Sequence, residues 1–128
     1  MARVRRSYWI VGTPPAHIGL YRDATGRVCC DTQRGSGRAQ ALAMSVEEAA
    51  DLSTALYEIG APVEPPYWLI GARAWYATIG ALRLSRGNVN PSQGAEYYID
   101  RGGEKLLTVP AQLLTVLAET LLVCARSD

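Results

Sequence analysis

The stretch Tyr8-Trp9-Ile10-Val11-Gly12 recurs later in the chain as Tyr67-Trp68-Leu69-Ile70-Gly71. Short runs of aromatic and β-branched residues favour a β-strand. Both alternating faces of this run are apolar or aromatic, whereas a strand with one face in water alternates more cleanly. We therefore expect a strand that is covered on both faces or that presents one face to a ligand.

Two further matches follow in the same order along the chain. The turn Arg34-Gly35-Ser36-Gly37 is answered by Arg101-Gly102-Gly103, and Ser45-Val46 by Thr108-Val109, each of these last two pairs opening a helical pattern. Three matches in one order indicate an internal duplication, which fixes the repeating unit of the fold. We place the copies at residues 1–63 and 64–128, and we expect them to form one compact domain.

The first copy predicts four strands and a helix. The strands are expected at 7–12, 17–22, 27–31 and 39–44, with a polar glycine-rich loop at 33–38. Ser45 and Glu48 form a capping box that starts a helix. An apolar stripe then recurs at helical spacing, at Ala49, Leu52, Leu56 and Ile59. This helix is expected to bury one face and to end at Gly60.

The second copy predicts the same plan with different detail. Its strands are expected at 67–72, 75–84, 95–100 and 104–108, with a polar loop at 86–94, although 72–84 could also be helical. Its helix, 109–124, is apolar around most of its circumference, so it must be buried on more than one side. It lies either in the middle of the domain or at a subunit interface. We predict a homo-oligomer, with a dimer favoured, through an open sheet edge or through this helix at Leu114, Leu117 and Leu121.

Together these elements predict an α+β protein that duplicates a ββββα unit, with antiparallel sheets and with the helices packed on one side. In element order alone, this plan resembles the PUR-repeat, Whirly and PC4-like proteins. The resemblance covers nearly the whole chain but includes no sequence motif of those families. It implies binding of single-stranded nucleic acid on a curved sheet that helices support from behind.

The composition excludes several classes of protein. Of 128 residues, 48% are hydrophobic and the net charge is +1, which does not fit a disordered tail. No run of about 18 apolar residues exists, as a membrane span requires, and we expect a soluble cytoplasmic protein. Among the bases only Lys105 is a lysine, and Phe is absent, a bias typical of GC-rich genomes such as those of actinobacteria and their phages.

Little in the chain indicates catalysis. His17 is the only histidine, and neither a Walker loop nor a dinucleotide fingerprint appears. Cys29, Cys30 and Cys124 lack the spacing of a metal site or a disulfide framework. We therefore expect no cofactor, no metal and no enzymatic activity.

Charge is distributed unevenly along the chain. Residues 1–38 hold seven bases and two acids, whereas residues 39–63 hold four acids and no base. Basic strands with aromatic residues favour a protein that holds single-stranded nucleic acid by stacking beside arginine. The candidate binding residues are Arg22, Arg27, Arg34, Arg38, Arg73, Arg83, Tyr21, Trp75 and Tyr76. The alternative is a protein-interaction module, such as a regulator, inhibitor or assembly subunit, because aromatic residues and arginine are also enriched at protein interfaces.

Overall fold

The computed structural model describes residues 7–60, 76–90 and 94–127. In this part of the chain eight strands and two helices follow one another as β1 (Trp9–Val11), β2 (Ile18–Arg22), β3 (Val28–Arg34), β4 (Gly37–Met44), α1 (Val46–Gly60), β5 (Tyr76–Ile79), β6 (Leu82–Asn90), β7 (Gly94–Arg101), β8 (Glu104–Pro110) and α2 (Leu114–Arg126). A single 3-10 turn, Ala111–Leu113, connects β8 to α2. The predicted α+β class is confirmed.

The strands form two antiparallel sheets of four, ordered β1-β2-β3-β4 and β5-β6-β7-β8. Every strand therefore pairs with its neighbour in sequence. The order ββββα occurs twice, which is compatible with the predicted duplication. Both sheets also have a register shift between their third and fourth strands, beside Asp31 in the first sheet and beside Asp100 in the second.

The predicted loop at 33–38 is instead a tight hairpin. β3 continues to Arg34 and β4 begins at Gly37, with Gln33 opposite Arg38 in the ladder. The reversal needs only two residues because Gly35 has a φ of 60°, which side chains other than glycine rarely adopt. Polar residues are typical of loops, but strand ends that project into solvent are commonly polar too, so the pattern does not distinguish the two.

The strands predicted for the second copy are displaced. The strand expected at 75–84 is a hairpin of β5 and β6 that turns at Gly80, whose φ is 57°, and the helical alternative is wrong from residue 76 onward. Most of the loop expected at 86–94 belongs to β6 and β7. The strand expected at 67–72 lies outside the described residues. The first described strand of the second sheet is therefore β5.

Thr108-Val109 does not open a helix. Both residues lie in β8, where Val109 is buried and pairs with Tyr97. Pro110 ends the strand, and α2 begins only at Leu114, after the 3-10 turn. Both the end of this buried strand and the helix after it are largely apolar, so the sequence pattern predicts one continuous helix.

One hydrophobic core joins the two halves. Helix α2 contacts β1, β2 and β3 of the first sheet, while α1 packs along α2 and contacts β5 of the second. The predicted interface residues Leu114, Leu117 and Leu121 lie in this core at 2%, 0% and 1% exposure. Helix α2 is apolar on several sides because α1 and the first sheet both cover it, so packing within the chain accounts for these leucines, and the predicted homo-oligomer stays a prediction.

Polar contacts also connect the halves, among them those of Arg22 and Glu48. Arg22 in β2 donates from Nη1 to the carbonyl oxygens of Cys124, Ala125 and Ser127 at the end of α2, at 3.3, 3.1 and 2.8 Å. Glu48 in α1 accepts a 3.1 Å hydrogen bond from the backbone N–H of Ala81, in the β5–β6 turn. In the described part of the chain, neither helix is long and apolar enough to span a membrane.

Candidate binding face on the first sheet

The first sheet has one face in the core and one face toward solvent. The row of neighbours Trp9, Leu20, Cys30 and Leu42 belongs to the inner face, where the last three are buried. The next row is Ile10, Gly19, Asp31 and Gln40, which side-chain alternation places on the opposite face. We call the surface formed by Tyr8, Ile10, Tyr21, Asp31, Arg38 and Gln40 the outer face.

Tyr8 lies flat across the strand next to it. Its hydroxyl donates a 2.7 Å hydrogen bond to Asp31 Oδ1, although β2 runs between these two residues. Gly19 of β2 makes this path possible, because a Cβ at that position would lie 1.9 Å from the Tyr8 hydroxyl oxygen. The tyrosine remains 45% exposed. The position of the Tyr8 ring on this surface therefore depends on the absence of a side chain at Gly19.

Arg38 holds the same carboxylate from β4. Its Nε lies 3.1 Å from Asp31 Oδ1, and its other nitrogens donate to the carbonyl oxygens of Pro15 and His17, both at 2.8 Å. Partial burial opposes the charge of the guanidinium, but the hydrogen bond and ion pair with Asp31 raise the pKa of Arg38 overall. Arg38 therefore fixes the β1–β2 connection and neutralises Asp31.

Tyr21 extends the aromatic surface beside Tyr8. The two rings lie 6.3 Å apart between centroids and are inclined by 23°, and the Tyr21 hydroxyl donates to Gln40 Oε1 at 3.1 Å. On the edge strand β1, Ile10 is 52% exposed. The result is a strip of aromatic and aliphatic groups that a ligand can reach directly, with both phenol hydroxyls held by side-chain hydrogen bonds.

His17, beside the outer face, does not complete a reactive site. His17 Nε2 lies 3.3 Å from the Tyr8 hydroxyl, which also contacts Asp31. Burial and the bond to Asp31 raise the pKa of Tyr8, so the phenol stays protonated and is a poor base or nucleophile. His17 Nδ1 is buried without a hydrogen-bond partner in the described part of the chain. Nothing here resembles an activated nucleophile with its base.

The described ranges also contain no candidate metal site. No group of three or more histidine, cysteine, aspartate or glutamate side chains there could hold an ion. The three cysteines are buried, and burial raises the pKa of Cys124 to about 11. Cys30 and Cys124 therefore act as small apolar core residues, whereas Cys29 Sγ lies 3.7 Å from Asp23 Oδ2.

The four candidate arginines of the first sheet have different surroundings. Arg22 is directed to the end of α2, and Arg38 is paired with Asp31. Arg27 pairs with Asp23 at 3.0 Å. The pKa of Asp23 lies well below its usual range, mainly because Thr25 donates to it and also because Arg27 does, so the aspartate stays charged. Arg34 lies exposed beside the β3–β4 turn.

The remaining candidates belong to the second half. Arg73 and Trp75 lie outside the described residues, and Tyr76 lies in β5, where only the backbone is described. Arg83 is exposed on β6, opposite Asp100. The structure therefore brings Tyr21 and Arg38 together on the outer face, and it places Arg22, Arg34 and Arg83 elsewhere.

Four contributors to the outer face were not among the predicted binding residues: Tyr8, Ile10, Asp31 and Gln40. Tyr8 and Ile10 carried a signal, because their strand has apolar side chains on both faces and one face was expected to meet a ligand. Asp31 and Gln40 carried none, since their position depends on pairing across β3 and β4.

Comparison with known proteins does not assign this chain to a family. No protein-family model matches the sequence, and a search of curated proteins gave no match. Function must therefore be inferred from the geometry of the chain itself.

Proposed function

We propose that this chain is a small non-catalytic binding protein, and that the outer face of the first sheet is a protein-binding surface. The observation that carries the proposal is the exposure of Tyr8 and Ile10 on a surface that its own side chains hold rigid. Rigid aromatic residues at the centre of an interface supply most of its binding free energy. A preorganised surface also loses little conformational entropy when a partner binds.

Charge favours a protein partner over nucleic acid. Among the described residues of the first sheet and its turns, Arg27 and Arg38 are paired with Asp23 and Asp31. Nucleic-acid binding depends on unpaired positive charge that displaces counterions from phosphates. A surface whose charges are internally neutralised fits the central part of a protein interface better.

Single-stranded nucleic acid is the second candidate, and one feature favours it. On the second sheet, Lys105 Nζ lies 3.7 Å from the centre of the Tyr98 ring. A cation beside an aromatic ring is an arrangement that can stack a base and bind its phosphate. Tyr8 and Tyr21 would supply further rings on the first sheet.

Site-specific photo-crosslinking tests the proposal. A photoreactive amino acid replaces Ile10 in the full chain, and a matched variant carries it at Glu104, which is exposed in the β7–β8 hairpin. Both variants are irradiated in extract of the producing cells and analysed by mass spectrometry. We expect one discrete protein adduct from position 10 that is absent from position 104 and that disappears when Tyr8→Ala is added.

An oligonucleotide titration tests the second candidate in parallel. Fluorescence anisotropy of labelled single strands and duplexes is followed at low and high salt. We expect no saturable binding. Tight binding of single strands that weakens steeply with salt, and that is lost in Tyr8→Ala, would replace the protein-binding proposal with the nucleic-acid one.

A further inference from the structure

A groove between the two helices has a different chemistry from the outer face. It encloses about 380 Å³ and is lined by Ser53, Thr54, Tyr57, Glu58, Glu119 and Leu122. Ser53 is buried and Leu122 is half-buried, so they form the floor, while the other four residues are exposed and form the rim. We call this feature the helix groove.

The floor of the helix groove is held rigidly. Ser53 Oγ donates a 2.5 Å hydrogen bond to the carbonyl oxygen of Ala118, which joins α1 to α2 beneath the groove. Ala118 itself is fully buried, as is Leu117 beside it. The helices are therefore fixed at this point, and the groove is preformed.

Apolar side chains continue out of the groove onto the surface. Tyr57 on its rim is 53% exposed, and Val116 and Val123 on α2 are 44% and 53% exposed. Val116, Glu119 and Val123 share one face of the helix because they are three and four residues apart. Large exposed apolar side chains clustered in this way are typical of interaction surfaces.

The charged side chains that line the groove have one sign, whereas the exposed Arg126 lies one turn beyond it at the end of α2. Glu58 lies on the rim from α1 and Glu119 from α2, and no basic side chain is among the described residues that line the groove. Helix α1 also carries Glu47 and Asp51 on its exposed positions and contains no lysine or arginine. Complementarity therefore requires a positively charged partner.

We propose that the helix groove binds a basic amphipathic helix of a partner protein. A large apolar side chain of that helix fills the groove between Tyr57 and Leu122, and its lysine or arginine residues pair with Glu58 and Glu119. An apolar groove with a charged rim is a recurring way to recognise amphipathic helices. This interface is separate from the outer face, so the chain has two binding surfaces of different chemistry.

The probe for this proposal is a labelled synthetic amphipathic helix of leucine and lysine, with a matched helix of leucine and glutamate. We expect saturable binding of the lysine helix to the full chain, at least tenfold tighter than any binding of the glutamate helix. The affinity should fall as salt is added, because the rim charges are exposed.

Three variants locate the binding site. Tyr57→Ala should weaken binding about tenfold by removing the aromatic anchor. The double variant Glu58→Gln/Glu119→Gln should weaken binding and reduce its salt dependence. Glu47→Gln removes one carboxylate from α1 outside the groove and should leave affinity unchanged. Circular dichroism checks that each variant, altered only at exposed positions, remains folded.

Three results would overturn the proposal. The first is failure of the lysine helix to bind. The second is equal weakening by Glu47→Gln and by the rim variants, which would mean attraction to a generally acidic surface. The third is a concentration-dependent mass in light scattering that Tyr57→Ala abolishes, since the groove would then hold a second copy of the chain. None of these outcomes affects the outer face.

Discussion

The Tyr8 hydroxyl donates to Asp31 Oδ1 at 2.7 Å across the backbone of Gly19, so the phenol ring lies over a strand that separates the two residues. Arg38 holds the same Asp31 oxygen from the other side. This chain of contacts fixes the aromatic surface to which we assign partner binding. Because the Tyr8 ring can lie there only while residue 19 has no side chain, substitution of Gly19 tests this arrangement.

Gly19→Ala should displace Tyr8. The new Cβ would lie 1.9 Å from the phenol oxygen, so the ring must swing outward and its bond to Asp31 must break. We expect a loss of about 1 to 3 kcal/mol in the free energy of unfolding, measured by urea denaturation. The phenol should also titrate nearer the ordinary tyrosine pKa, because burial and Asp31 raise the pKa of Tyr8 in the native chain. An unchanged ultraviolet titration would contradict the contact.

Arg22→Met should destabilise the attachment of α2 to the first sheet. The substitution keeps an apolar stem but removes donors to three carbonyl oxygens at the helix end, including Ser127 at 2.8 Å. Hydrogen bonds from a charged donor contribute about 2 kcal/mol, and we expect a loss of that size in urea unfolding. The matched variant Arg34→Met, at an exposed site, should change stability by less than about 0.5 kcal/mol. Equal effects of the two variants would exclude a special role for Arg22.

Glu48 should make stability depend on pH. It accepts from Ser45 N–H at 3.0 Å and from Ala81 N–H at 3.1 Å. Burial alone would raise the pKa of Glu48, but these hydrogen bonds and Arg101 outweigh it and lower the pKa below 4.5. The stabilisation is therefore fully present above the unfolded-state pKa and is lost as the pH falls through the lower, folded-state value.

Replacing the Glu48 carboxylate tests whether its stabilising contribution is lost as the pH falls. Glu48→Gln should lower the free energy of unfolding by about 1 kcal/mol at neutral pH and should differ less from the native chain in acid. Glu47→Gln, at an exposed position in the same helical turn, serves as the control. A difference between Glu48→Gln and the native chain that grows as the pH falls would contradict the assigned role.

The three cysteines should be unreactive in the folded chain. Cys29, Cys30 and Cys124 are at most 1% exposed, and burial raises the pKa of Cys124 to about 11. Since the thiolate is the reactive form, labelling by a thiol reagent at mildly alkaline pH should be slow and should become complete only in denaturant. Rapid labelling of native protein would show that a cysteine is accessible.

Local sequence signals predicted part of the fold well. The capping box of Ser45 and Glu48, with the apolar stripe after it, gave the start and end of α1 closely. The strands of the first half were placed within a few residues. These features depend on neighbours in the sequence, which is why they could be predicted.

Features that depend on pairing across the sheet could not be predicted. The strand containing Thr108 and Val109 looked like the start of a helix, because a buried strand and a buried helix are both continuously apolar. Burial of Leu117 against the first sheet depends on how the two halves pack. The outer face depends on Gly19, whose importance appears only once Tyr8 is seen to cross it.

Photo-crosslinking from position 10 probes partner binding at the outer face itself, because Ile10 lies exposed on that face and is not part of the core. We predict one discrete protein adduct that is lost in the Gly19→Ala background, where Tyr8 is displaced. Crosslinks to nucleic acid alone, or a protein adduct that persists unchanged in Gly19→Ala, would contradict it.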